Sequence, residues 1–144
     1  MARLGVNIDH IATVRNARGE NYPDPSRAAV IVKNYGANSI TIHLREDRRH
    51  INDEDLFKII KFKKINVNLE MAPTKEMLKI ALKLKPKFVC LVPEKRKEIT
   101  TEGGLNLDSN TYMLKKIIQS LKKKDIRISL FIEPSISNVK KSKK

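Results

Sequence analysis

Apolar and polar residues alternate with period two in three short stretches, Leu4–His10, Ser39–Arg45 and Asn66–Met71. Such alternation predicts strands whose successive side chains point to opposite faces. Asn7 and Asp9 then share one face, as do His43 and Arg45, and Asn68 and Glu70. Val6, Ile8, Ile42, Leu44, Val67 and Leu69 face a hydrophobic layer. Two further apolar stretches, Phe88–Val92 and Ile126–Ile132, predict a fourth and a fifth strand.

Helical spacing fills the gaps between strands. Ser26–Tyr35 carries Ala28, Ala29, Ile31 and Val32 on one stripe, with Gly36 placed as a stop. Asp53 begins a short helix through about Phe62, Pro73-Thr74 opens another, and a fourth follows Asp108. Arg15–Pro25, with Gly19 and two prolines, reads as a long polar loop. Arg45–His50 and Thr100–Gly104 read as loops too.

Strands separated throughout by helices imply a parallel sheet with right-handed crossovers, either doubly wound or a barrel. A doubly wound nucleotide-binding fold carries a Gly-rich turn after its first strand, and Asn7-Ile8-Asp9-His10 is nothing like one. Ionisable residues at the ends of three consecutive strands are how a (β/α)8 TIM barrel builds an active site. The reading is therefore an α/β enzyme with an incomplete TIM barrel of about five β/α units over residues 1–134. A lysine-rich polar tail over 135–144 follows it.

Composition narrows this reading. A chain of 144 residues that is 40% hydrophobic supports one core rather than two ordinary domains. The first strand starts too near Met1 for a signal segment, and no apolar run approaches the roughly 20 residues of a membrane helix. A single cysteine, Cys90, rules out an intrachain disulfide, fits a reducing cytoplasm and reads as an inert buried residue. The net charge of +14 raises nucleic-acid binding. Against it, the excess is lysine spread along helices, aromatics are only 5%, and no RNP-like or zinc-finger pattern occurs. The expectation is a solvated basic surface with neither nucleic acid nor membrane as partner, and a field that favours phosphorylated small molecules.

Glu70, inward at the end of the third strand, suits a general base if burial raises its pKa; pairing with Arg45 to hold the barrel mouth is the alternative. His43 titrates near working pH and is the second proton-transfer candidate, the alternative being a satisfied structural histidine.

Long motifs then add a resemblance. Leu4-Gly5-Val6-Asn7-Ile8-Asp9-His10, Arg15-Asn16-Ala17-Arg18-Gly19, His43-Leu44-Arg45-Glu46-Asp47-Arg48-Arg49-His50, Asn68-Leu69-Glu70-Met71-Ala72 and Val92-Pro93-Glu94-Lys95-Arg96 are among them, with Thr100-Thr101-Glu102-Gly103-Gly104. Together they closely resemble the pyridoxine 5′-phosphate synthase family, from the start of the chain to about Glu133. The resemblance implies condensation of 1-deoxy-D-xylulose 5-phosphate with 3-amino-2-oxopropyl phosphate by acid–base catalysis, with no cofactor. It implies proton transfer by His43 and Glu70. Asp9, His10, Arg45, His50 and Thr100 would bind the deoxyxylulose phosphate, and Asn7 and Arg18 the amino ketone phosphate. Arg18 would sit on a loop able to close over the site, although for Arg18 and His50 a solvated loop charge is the plainer reading. His10, His43 and His50 could meet Asp9 around a metal, but beside phosphates they suit acid–base and anion-binding work, so no metal is expected. The family is homo-oligomeric, and its barrel continues through three more strands bearing a general-acid histidine and a late phosphate loop. A truncated, catalytically inactive remnant that at most binds sugar phosphate stands as the alternative function.

Overall fold

The protein is described by a computed structural model covering residues 2–94, 103–109 and 111–143. Its elements run in chain order as β1 (Gly5–Asn7), α1 (Asp9–Arg18), α2 (Pro25–Asn34), β2 (Ser39–His43), α3 (Asp53–Ile60), β3 (Val67–Met71), α4 (Lys75–Leu84), β4 (Phe88–Leu91), α5 (Thr111–Lys122), β5 (Arg127–Leu130) and α6 (Ile136–Ser142).

Local chemistry sets the helix starts. Asp24 accepts the Ser26 N–H at 2.7 Å while Pro25, which has no N–H to satisfy, opens α2. Asn52 and Asp55 form a reciprocal capping box on α3. Thr74 accepts the Met77 N–H at the head of α4. The apolar stripes of α3, α4 and α5 place Leu56, Ile59, Met77, Ala81, Ile117 and Leu121 in the core.

All five strands are parallel and neighbour one another in sequence order, β1-β2-β3-β4-β5. This order has no reversal, which excludes a doubly wound sheet and leaves the arc of a (β/α)8 barrel, here five β/α units. One face is the core: Ile40, Ile42, Val67, Leu69, Met71, Val89 and Leu91 are all essentially inaccessible. The opposite face is polar and follows the register. Asn7 lies beside Thr41, and Thr41 beside Asn68; one layer higher His43 lies beside Glu70, and Glu70 beside Cys90. Among the described residues no helix is long and apolar enough to cross a membrane.

Two segments differ from the sequence reading. Arg15–Arg18 is no loop but the last part of α1, which begins at Asp9, immediately after β1 ends at Asn7. Asp9 in the first turn and Arg15 and Arg18 in the last suit the helix dipole, and Gly19 ends the helix at φ 67°. The stop glycine was legible in the sequence, but the polar residues before it hid the helix. The lysine-rich tail also contains a helix: α6, capped by Ser135 on the Asn138 N–H.

Candidate active site

The carboxyl ends of β1, β2 and β3 bring four of the expected residues together, Asn7, Asp9, His43 and Glu70. Asn7 ends β1, and its side chain fixes Asp9 from both sides: Oδ1 accepts the Asp9 N–H and Nδ2 donates to Asp9 Oδ2, each at 2.8 Å. The other oxygen of Asp9 accepts the main-chain N–H of His43 at 2.8 Å, so a buried carboxylate ties β1 to the end of β2. His43 in turn lies beside Glu70 in the β2–β3 register.

Glu70 is half-buried, and among the described residues its carboxyl has no hydrogen-bond or ion-pair partner. Burial raises its pKa, the His43 charge pulls it back down and the Asp9 charge adds to the rise. Arg45 is only 2% exposed and lies 3.5 Å from Asp47. Asp47 is held down to about 2, chiefly by hydrogen bonding from Arg49.

His50 packs its ring 5.9 Å from that of His43 and accepts the Ile51 N–H on Nδ1 at 2.8 Å. Burial lowers the His50 pKa; Asp9 opposes that, while His43 and Arg45 reinforce it. A neutral ring with its proton on Nε2 follows from these two facts. His10 is exposed in the first turn of α1. Arg18 ends α1, donating to the Tyr22 hydroxyl at 2.9 Å with its guanidinium 5.1 Å from that ring. Thr100, Lys95 and Arg96 lie outside the described residues.

Two residues given no role in the sequence reading complete the arrangement. Glu94, three residues past β4, places Oε1 2.8 Å from His43 Nε2 and accepts the Glu46 N–H on Oε2 at 3.0 Å. Burial pushes the Glu94 pKa up, but the bonds from His43 and Glu46 and the charges of His43 and Arg45 outweigh it, so the net shift is downward. Its signal was present: a glutamate after Pro93 at the end of another barrel strand. Arg15 grips Asp55 through both guanidinium nitrogens, at 2.5 and 2.9 Å, and donates to the His50 carbonyl at 3.3 Å. Nothing in local spacing announced a partner 40 residues away. Arg48 organises its own loop. It donates to the carbonyls of Arg45 and Glu46 and to Asp53 and Glu76.

Residues 4–144 match the family described as "Pyridoxal phosphate biosynthesis protein PdxJ". The chain belongs to this family. The match runs through the lysine-rich end. A PdxJ-family relative from Pelagibacter ubique (strain HTCC1062), named pyridoxine 5′-phosphate synthase, is 59% identical over 143 residues, covering 99% of this chain and 60% of its own. One of the same name from Syntrophotalea carbinolica is 58% identical over 142 residues, covering 99% and 59%. A third, from Wolbachia pipientis subsp. Culex pipiens, is 56% identical over 138 residues, covering 96% and 59%. The chain thus spans about 60% of the length of these PdxJ-family relatives.

Proposed function

We propose that this chain carries the sugar-phosphate and acid–base part of a pyridoxine 5′-phosphate synthase, condensing 1-deoxy-D-xylulose 5-phosphate with 3-amino-2-oxopropyl phosphate. The observation that supports it most is the adjacency of His43 and Glu70 at the ends of β2 and β3, with the Glu70 carboxyl unbonded among the described residues and its pKa raised by burial. Imine formation, elimination and ring closure need proton transfers at one locus, and an unpaired carboxylate next to an imidazole supplies them. Arg45, His50, His10 and Asp9 would receive the deoxyxylulose phosphate, and Asn7 and Arg18 the amino ketone phosphate. The relatives' shared name supports a role in vitamin B6 biosynthesis.

Calorimetry with 1-deoxy-D-xylulose 5-phosphate against the unphosphorylated sugar tests the binding part. Tighter binding of the phosphate ester is expected, and equal or absent binding of both would overturn the reading. Adding both substrates and following product formation separates enzyme from remnant. The chain alone should bind but turn over at a rate lower by orders of magnitude, because the resemblance puts a general-acid histidine and a second phosphate loop beyond β5. Mixing it with a polypeptide that carries those parts should restore turnover.

A further inference from the structure

The ring of His43 has two nitrogens, and the structure distinguishes them. Nε2 faces Glu94 Oε1 at 2.8 Å, in a contact whose two side chains are only 5% and 6% exposed. Among the described residues nothing bonds Nδ1. An ionised carboxylate can only accept, so the proton between the two groups belongs to Nε2. The second oxygen of Glu94 is occupied by the Glu46 N–H, which fixes the carboxylate plane and keeps the group from rotating away. Meanwhile the His43 main chain is pinned by Asp9 from the other side. Both the backbone and the ring of His43 are therefore held, each by a different carboxylate.

We propose that Glu94 is the positioning residue of the His43 imidazole, accepting the Nε2 proton so that Nδ1 is the atom presented for proton transfer. This rests on the functional reading above only in giving His43 a proton to move. When Nδ1 takes up a proton the ring becomes an imidazolium whose Nε2–H already points at a carboxylate, and the positive charge is stabilised where it forms. Glu94 itself stays ionised and touches no reacting atom. It also bridges the end of β2 and the loop after it to the segment leaving β4, crossing the end of β3, where Glu70 lies.

The test is nitrogen-detected NMR on the 144-residue chain labelled at its 3 histidines. In the unmodified protein the His43 Nε2–H should appear as a hydrogen-bonded proton exchanging with solvent at least about tenfold more slowly than in Glu94→Ala. Glu94→Gln retains an acceptor oxygen and should keep the Nε2–H signal, shifted upfield because the acceptor has lost its charge. Protection of the His43 main-chain N–H, which depends on Asp9 and not on Glu94, reports whether each variant still folds around the site. A proton on Nδ1 in the unmodified chain would overturn the proposal without any variant, as would an Nε2–H signal indifferent to Glu94→Ala in a folded site. The result is independent of substrate identity. A bonded Nε2–H without pyridoxine 5′-phosphate formation in the complemented enzyme counts against the functional reading alone; turnover without that bond counts against Glu94 alone.

Discussion

Asp9 Oδ1 and the main-chain N–H of His43 meet at 2.8 Å across 34 residues of sequence. Asp9 is 7% exposed and His43 4%, so neither group has water as a substitute partner. Asp9→Ala should therefore lower the unfolding free energy by about 1–3 kcal/mol, the cost of leaving a buried donor unpaired. Urea denaturation measures it. A loss below about 0.5 kcal/mol would show that the bond is replaced on mutation.

Glu70 predicts a stability gain alongside an activity loss. Its pKa is higher folded than unfolded, so the folded protein holds its proton longer. That contribution is fully present below the ordinary carboxylate pKa and is lost as pH rises through the raised value. Glu70→Gln removes the dependence. Relative to the unmodified chain the variant should gain stability as pH rises from the ordinary carboxylate pKa through the raised folded one, while turnover of the complemented enzyme drops by about a hundredfold or more. A stability difference that is flat with pH would place the titration elsewhere.

For Glu94 the sign is opposite. Its folded pKa is depressed, so its contribution is present above the unfolded value and disappears as pH falls through the folded one. His43→Leu deletes the largest influence lowering it and leaves burial opposed only by the Glu46 N–H and the Arg45 charge. Carbon-detected titration of Glu94 should then show its midpoint moving upward, and an unmoved midpoint would contradict the pairing.

Arg15→Met should cost about 3–5 kcal/mol, because the pair it forms with Asp55 is nearly dry, at 11% and 6% side-chain exposure, and Asp55 would be left an uncompensated charge. Arg15→Met combined with Asp55→Leu should recover much of that loss. A double variant as unstable as the single one would mean that the other bonds of Asp55, those of the α3 capping box, dominate.

Period-two alternation revealed β2 and β3 because one face of each is wholly apolar and the other polar, as at Ile42 and Leu69 against His43 and Glu70. It placed Asn7 and Asp9 on one strand face; the chain instead turns into α1 after Asn7, and a hydrogen-bonded turn brings the two together. α1 escaped notice because its buried surface rests mainly on Ala12 and Asp9, too few apolar positions to show a helical stripe. Glu94 and Arg15 escaped for a different reason. Each acts on a partner 40 or more residues away, and only the closing of strand ends into one arc brings such partners into reach.

Helix α1 touches both histidines of the mouth, one from each end. Asp9 in its first turn holds the His43 N–H, and Arg15 and Asn16 in its last turns hold the His50 carbonyl at 3.3 and 3.0 Å. A ten-residue helix is a stiff rod roughly 15 Å long. The separation of the His43 N–H and the His50 carbonyl is then a dimension set by a rigid gauge outside the sheet. Any ligand that draws those two backbone segments apart or together must tilt that rod as a whole, which makes the pitch of α1 a mechanical readout of occupancy.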